Sequence, residues 1–312
     1  MFKIRLFFLC WVFMNGSFIG GAVAAGNAGD AEFALGQSSA EPVKSSVISE
    51  KSVANTPALG AVFEKSRDGM ARVLKQSRFG VGLAGLSFPH YPGSKHSSNR
   101  VIPIPYLEYY GDALSVDDKG LKAKIFVGEN WQLGVSVNGA LPVDSQDDEK
   151  RAGMVDLYTM GEIGPELRYI LRDAGGVMIS LDFPLRVNLL LENDFLREQG
   201  ASFEPRLHIE KNTQNWSGEI DIGPLYANER YMDVFYEVPQ AYTSPTRNRY
   251  DADLGLLSLR LSATLKYRFG DYIGIIYGRA MSLSEATNRD SPLVATDHYF
   301  AGGIAIIRTF TW

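Results

Sequence analysis

Residues 298–312 read HYFAGGIAIIRTFTW, and large apolar side chains recur there at alternate positions. The alternating set consists of Phe300, Gly302, Ile304, Ile306, Arg308, Phe310 and Trp312. A two-residue period is that of a β-strand whose two faces meet unlike surroundings. Such a strand with aromatics at its end is typical of an outer-membrane β-barrel, with Phe310 and Trp312 as the barrel-assembly signal. A core strand of a soluble sandwich is the alternative, and Arg308 either reaches the membrane interface or is turned inward by a bulge.

The first 25 residues have the three parts of a secretory signal peptide. Lys3 and Arg5 precede an apolar run at residues 6–14, which is too short to span a bilayer as a helix. Small residues follow, and we expect cleavage after Ala24 or Ala25. The single cysteine, Cys10, lies within the signal, so disulfides and thiol chemistry are not expected in the mature protein.

Composition narrows the class of protein further. After the signal no run of 18 apolar residues occurs, which excludes a helical membrane protein and leaves a closed barrel as the membrane option. The formal net charge is −5 and no basic patch is visible, so nucleic acid is not an expected partner. Residues 26–77 are rich in Ala, Ser, Glu and Lys, and we expect a mostly disordered periplasmic segment there. Within it, residues 59–76 are compatible with a short amphipathic helix, as an alternative to a linker.

From residue 78 to residue 312, alternating runs separated by turn residues predict an all-β fold, a transmembrane antiparallel β-barrel of about 12 strands. The strands are expected at 79–88, 101–110, 113–117, 120–127, 131–140, 157–171, 177–189, 201–211, 216–227, 249–268, 272–283 and 298–312. The links between them alternate between short and long, as in barrels with turns at one end and loops at the other, and only Asp118-Lys119 is short where a long link is expected. The long links are expected at 89–100, 141–156, 190–200, 228–247 and 285–297.

Several short motifs occur in an order that resembles one known family. They are Tyr91-Pro92-Gly93-Ser94, Pro103-Ile104-Pro105-Tyr106, residues 162–169 (EIGPELRY), Ile222-Gly223-Pro224, residues 230–233 (RYMD), residues 290–294 (DSPLV) and residues 300–303 (FAGG). From about residue 78 to residue 312 the chain resembles the MltA-interacting protein/OmpV (MipA/OmpV) family of outer-membrane proteins. It departs from the family pattern in its long N-terminal segment and in ending on Trp where Phe is usual.

This resemblance implies a monomeric barrel in the outer membrane of a Gram-negative cell envelope, in contact with membrane lipid and lipopolysaccharide. It also implies a non-enzymatic role as a scaffold for a murein hydrolase and a murein synthase. The alternatives are a narrow channel or a surface-exposed binding protein for small solutes. A third hypothesis is a barrel enzyme that uses one of the four histidines His90, His96, His208 and His298.

Sequence patterns for chemistry are sparse. Residues 80–85 match G-x-G-x-x-G, but they lie in a predicted strand rather than before a helix, so we expect no cofactor. No His, Asp or Glu spacing predicts a metal site, and we assign no catalytic residue. The acidic run at residues 147–149 is expected to be a solvated loop rather than a site for cations among lipopolysaccharide headgroups.

Two outer loops are predicted to lie near the seam between the first and last strands. They contain Tyr91, Pro92, Gly93 and Ser94 in one loop and Asp290, Ser291 and Pro292 in the other. These residues either contact a ligand or form structural turns that close the barrel mouth, and we favour the second. Polar residues on the predicted inner face, such as Gln132, Ser136 and Asn138, predict a hydrated lumen that is either open or plugged by side chains or loops.

Overall fold

The computed structural model describes residues 77–110, 114–117, 120–123, 126–192 and 195–310. The signal peptide with Ala24 and Ala25, the short helix expected at 59–76, and Trp312 lie outside these ranges. Within them, all strand segments belong to one antiparallel sheet and one α-helix, α1 (Glu229–Tyr236), lies in a link. The strands are β1 (Ser77–Pro89), β2 (Ser97–Tyr110), β3 (Leu114–Asp117), β4 (Gly120–Ala123), β5 (Phe126–Val127), β6 (Trp131–Ala140), β7 (Thr159–Ala174), β8 (Val177–Glu192), β9 (Phe195–Phe203), β10 (Arg206–Asn212), β11 (Trp216–Ala227), β12 (Gly255–Phe269), β13 (Tyr272–Ser282) and β14 (His298–Phe310). Short 3-10 helices span Ser145–Asp147 and Gln240–Tyr242.

In the described part of the chain, no helix is both long enough and apolar enough to cross a membrane.

These 14 segments form 12 barrel strands of one sheet, because two of the barrel strands are each divided into two segments. β9 and β10 both pair with β8 on one side and β11 on the other, so they continue one another across Glu204 and Pro205. The break falls at a proline, which has no backbone N–H to donate to a sheet. β4 and β5 are likewise two segments of one barrel strand, because β4 pairs with β3 on one side and β5 pairs with β6 on the other. The prediction of about 12 strands is confirmed.

The sheet closes on itself. β1 pairs with β14, from the residue pair Phe79 and Phe310 to the pair Ser87 and Gly302, so the first strand of the barrel joins the last. Every other described barrel strand pairs with the strands that precede and follow it in the chain. This up-and-down closure satisfies the backbone of each paired strand without water, which a bilayer requires.

The two faces of the sheet have opposite character. In β14, Phe300 is 71% exposed and Ile304 is 66% exposed, whereas Tyr299 and Ala301 are buried. In β12 the leucines at 259, 261 and 265 point outward, and the polar residues at 258, 260 and 262 are buried. An apolar outer face and a polar interior reverse the pattern of a soluble protein and match an outer-membrane barrel. The soluble sandwich is therefore excluded.

Arg308 stays on the outer face, and the register of β1 against β14 continues through it. Its guanidinium carbon lies 5.5 Å from the ring centroid of Phe310. The inward bulge is therefore not formed, and placement of Arg308 at the membrane interface stays a prediction. Phe310 itself is 43% exposed and lies on the same outer face.

Aromatic side chains cluster at the end that carries the short turns. Trp131 and Tyr169 have ring centroids 4.5 Å apart, and those of Trp216 and Tyr267 are 4.2 Å apart. Further pairs join Tyr267 to Phe269 and Phe269 to Tyr272, both at 5.8 Å. Aromatic girdles of this kind mark the boundary between acyl chains and headgroups.

Most links have the predicted lengths, but one does not. The link expected at 190–200 is long in the prediction, whereas β8 continues to Glu192 and β9 begins at Phe195. The pairs Leu189–Glu198 and Leu190–Arg197 belong to this hairpin. The prediction of a long loop there is wrong, because charged residues of this segment pair in strands rather than forming a loop. Beyond the apolar belt, strand pairing continues through exposed charged residues.

Candidate functional site

A buried apolar cluster, the cap cluster, occupies the long-loop end of the barrel. It draws on all four long links, and its main members are Tyr91, Leu141, Leu157, Tyr231, Met232, Phe235, Tyr236, Val238, Leu283 and Leu293. Each of these side chains is buried. Burial of this much apolar surface holds the links together as one body.

The centre of the cap cluster is α1. Asn228 caps the helix, because its side-chain oxygen accepts a hydrogen bond from the backbone N–H of Tyr231 at 3.1 Å. One face of α1 is apolar and buried, through Tyr231, Met232, Phe235 and Tyr236. This spacing is that of an amphipathic helix. The sequence prediction missed α1, although the Asn cap and the spacing of these four residues were visible.

Asp148 ties two of the links together. Ser94 Oγ donates a hydrogen bond to Asp148 Oδ2 at 2.6 Å, and the Tyr91 hydroxyl donates to Asp148 Oδ1 at 3.3 Å. Burial opposes ionisation of Asp148, but the His90 ring, whose Nδ1 lies 3.5 Å from Oδ2, and the hydrogen bond from Ser94 outweigh it and lower the pKa to about 2. Asp148 is only 1% exposed, so the expected solvated loop at 147–149 is wrong at this residue. Its partners lie more than 50 residues away in the sequence.

The structure brings the two predicted seam loops together. Gly93 has a φ of 94°, and its carbonyl oxygen accepts hydrogen bonds from the backbone N–H groups of Ala295 at 2.8 Å and Thr296 at 3.1 Å. The Tyr91 hydroxyl donates to the carbonyl of Leu293 at 2.8 Å. Ser291 Oγ donates to the carbonyl of Tyr236 at 2.8 Å. Asp290 is exposed and Pro292 is half-buried beside these contacts.

Below the cap cluster, charged side chains fill the barrel interior as the lumen lattice. Glu204 is 5% exposed and lies between two buried arginines. Arg186 Nη1 is 2.8 Å from Glu204 Oε2, and Arg260 Nη1 is 3.1 Å from Glu204 Oε1. Arg186 Nε also donates to Ser136 Oγ at 2.9 Å.

A second part of the lumen lattice is centred on Asp182, which is fully buried. Arg168 donates to both of its carboxylate oxygens, at 2.8 and 2.6 Å, in the bidentate geometry that arginine favours. Arg206 lies 3.7 Å from Asp182, 2.9 Å from Glu166 and 3.7 Å from Glu204. Arg206 therefore joins the two parts.

One hydrogen bond connects the cap cluster to the lumen lattice. The Tyr231 hydroxyl donates to Glu162 Oε1 at 2.8 Å, and Glu162 Oε2 accepts from Ser202 and Asn138, both at 3.3 Å. Ser136 and Asn138 therefore have the predicted inner-face position. They are hydrogen-bonded to lattice residues, so both side chains and loops plug the lumen along this part.

The histidines and the glycine motif occupy structural positions. Residues 80–85 lie within β1 and pair with β2 and β14, so the glycine motif has no helix to follow it. His298 is exposed, and the neighbouring Asp297 pairs with Arg289 at 2.7 Å. His90 and His96 stack with ring centroids 6.0 Å apart beside the cap cluster.

His208 belongs to a cluster that the sequence prediction missed. Its Nδ1 is 2.8 Å from Asp221 Oδ1, and ligand atoms of His208, Glu219 and Asp221 all lie within 4.8 Å of one another. These donor types suit a cation, but here Asp221 is hydrogen-bonded to His208. The residues come from β10 and β11, and only the strand register brings them together.

One family model and several solved structures are similar to this chain. The family described as "MltA-interacting protein MipA" matches residues 81–310. No curated protein matches the chain. An outer membrane channel from Pseudomonas putida F1 has 13% identity and a TM-score of 0.39, covering 75% of this chain and 95% of that one. A bacterial polysaccharide outer membrane secretin has 8% identity and a TM-score of 0.37, covering 77% and 99%. The outer membrane protease OmpT from Escherichia coli has 9% identity and a TM-score of 0.27, covering 76% and 97%.

Proposed function

Because the chain belongs to the MltA-interacting protein MipA family, we propose that it is a non-enzymatic scaffold of the outer membrane. In this role it holds a murein-degrading lytic transglycosylase near a murein synthase, at the inner surface of the membrane. The family name supports the first of these partners. The barrel carries out this role as a monomer surrounded by lipid and lipopolysaccharide.

The filled lumen is the observation that carries the proposal. A solute crossing the barrel would have to displace the cap cluster and then separate buried ion pairs around Glu204 and Asp182. Removing one partner of a buried pair typically costs about 3–5 kcal/mol. A barrel closed in this way favours a role in binding other proteins over a role as a narrow channel.

The surface proposed for the murein enzymes is the short-turn end together with residues 26–77. The short turns follow β7, β10 and β12, and they lie just beyond the aromatic girdle. In barrels with turns at one end and loops at the other, the short turns face the periplasm. Murein and its enzymes are reached from that side.

The test is crosslinking in intact envelopes, with the captured partners identified by mass spectrometry. We expect a lytic transglycosylase and a murein synthase to be captured by the full-length protein and to be lost on deletion of residues 26–77. The deletion variant must still reach the outer membrane, which heat-modifiable migration on gels checks. Absence of murein enzymes from the full-length sample would contradict the scaffold.

Conductance in planar bilayers provides the second arm. We expect the purified full-length barrel to show no stable single-channel steps, because the cap cluster and the lumen lattice close it. Steady conductance of the unmodified protein would favour the narrow channel.

A further inference from the structure

A pocket of about 230 Å³ lies at the long-loop end, between the 141–158 link, α1 and the outer ends of β8 and β9. Its apolar wall includes Met154, Leu157, Leu190, Val234 and Pro239. Pockets for drug-sized ligands measure roughly 300–1,000 Å³, so this one suits a smaller molecule. Its charged groups lie on different elements and define what that molecule must carry.

Arg151 and Arg197 are the positive groups of the pocket, and Arg151 is the buried one of the two. Its side chain is 4% exposed, and its contacts are to backbone carbonyls: Nη2 donates to Val155 at 3.1 Å, and Nη1 lies 3.4 Å from Val234 and Phe235. Its Nε has no hydrogen-bond acceptor, and no carboxylate among the described residues forms an ion pair with it. Its guanidinium carbon lies 5.6 Å from the Tyr91 ring centroid, and the charges of Asp148 and Asp156 act on it from a distance. The open Nε is the part of the group that a ligand can satisfy, and a planar carboxylate is the preferred partner of a guanidinium.

The negative groups are on α1. Asp233 and Glu237 both line the pocket and lie four residues apart, so they occupy the same face as a like-charged pair. Burial and the charges of Glu237 and Glu229 raise the pKa of Asp233 to about 6. Among the described residues, neither carboxylate forms a close ion pair, although the charge of Arg230 opposes part of the pKa rise of Asp233. The third acidic residue of the pocket, Asp156, already accepts a hydrogen bond from the backbone of Ser145 at 2.7 Å.

We propose that this pocket binds a small zwitterion, a free amino acid or a short peptide. Its carboxylate pairs with Arg151, and its ammonium group lies against Asp233 and Glu237. A simple cation would leave Arg151 Nε without an acceptor, and a simple anion would meet two carboxylates. A molecule with both charges satisfies both walls, and the apolar wall accepts a small aliphatic side chain.

The ligand itself provides the cleanest test. Full-length protein in detergent micelles is titrated calorimetrically with alanine, dialanine, N-acetyl-dialanine and dialanine amide. We expect alanine or dialanine to bind, and each blocked analogue to bind at least about tenfold more weakly, because each has lost one charge-assisted contact. The proposal is wrong if neither zwitterion binds, or if a blocked analogue binds as well as its parent.

Variants of α1 test the site without disturbing the buried arginine, whose loss would unfold the link. Asp233→Asn combined with Glu237→Gln should weaken binding of the zwitterion at least about tenfold. Glu229→Gln is the matched control, because it removes an exposed carboxylate from the same helix outside the pocket, and it should bind as the unmodified protein does. Equal binding by the double variant would overturn the assignment of the ammonium group.

Discussion

Replacing Glu204 with Gln tests whether the lumen lattice stabilises the barrel. Glutamine has the same shape as glutamate, so the change removes the charge without opening a cavity. Glu204 contacts Arg186 at 2.8 Å, Arg260 at 3.1 Å and Arg206 at 3.7 Å. The carboxylate is the shared counter-charge of three buried or half-buried guanidinium groups.

The size of the effect depends on which arginines keep another partner. Arg206 retains Glu166 at 2.9 Å, and Arg186 retains Glu162 at 3.7 Å. Arg260 has no second carboxylate partner among the described residues, and its Nη2 is already without a hydrogen bond. Removing one partner of a buried ion pair lowers stability by about 3–5 kcal/mol. Because only one of the three arginines loses its sole ion-pair partner, we expect the free energy of unfolding to fall by about 3 kcal/mol. For a domain of this size that is a drop of about 6–12 °C in Tm.

Thermal unfolding in detergent micelles, followed by circular dichroism, measures this drop. Glu198→Gln is the matched control, because Glu198 forms an equally close pair with Arg230, at 2.6 Å, but both side chains are about half exposed. Exposed pairs contribute below about 1 kcal/mol, so the control should shift Tm by only a few degrees. The reasoning fails if Glu204→Gln unfolds at the unmodified temperature, or if the control loses as much.

Three further results are expected. The pKa of Asp148 is lowered to about 2, so its contribution to stability, roughly 1–2 kcal/mol, is present above pH 4 and is lost as the pH falls towards 2. Hydrogen exchange of the linked loops should become faster over that pH range in the unmodified protein, and should not change with pH in Asp148→Asn. The pKa of Asp233 is raised to about 6, so the stability it contributes is present below pH 4 and is lost as the pH rises through 6; Asp233→Asn should therefore raise Tm at pH 8 but not at pH 4. Gly164→Ala should destabilise by about 1–3 kcal/mol, because a Cβ there meets the carbonyl oxygen of Leu185, whereas Gly278→Ala has open space and should be tolerated in the same denaturation assay.

The membrane-facing side of this structure could be predicted from the sequence, because the alternation that reveals it can be seen within each strand alone. Alternation along a single strand, as at Phe300, Ile304 and Ile306, records the contrast between lipid and lumen without reference to any other strand. Turn residues record the short links in the same way. The misplaced link at 190–200 shows the limit of this signal, because polar strand residues outside the bilayer resemble loop residues.

The interior could not be predicted, because its main contacts join residues on different strands and links. Arg260 is 56 residues from Glu204, and Tyr231 is 69 residues from Glu162. Which inward charges meet is set by the strand register and by the fold of the long links. The same is true of Asp148, whose sequence neighbours are acidic and whose partners are Ser94 and Tyr91.

The hydrogen bond from Tyr231 to Glu162 makes the outer loops and the barrel interior interdependent. Lifting α1 out of the cap cluster would expose its aromatic face. It would also remove the Tyr231 hydroxyl, a hydrogen-bond donor, from the buried carboxylate of Glu162, which lies 3.7 Å from Arg186. Separating the ion pairs of the lattice would in turn remove the support beneath α1. Arg260 Nη2 lacks an acceptor, but the ion pairs and hydrogen bonds of the lattice join several strands to the cap cluster. Since buried polar networks constrain the groups they connect, the barrel is expected to act as one rigid body from its loops to its turns. Rigidity of that kind suits a platform for partner proteins, and a channel that opens would have to break both layers together.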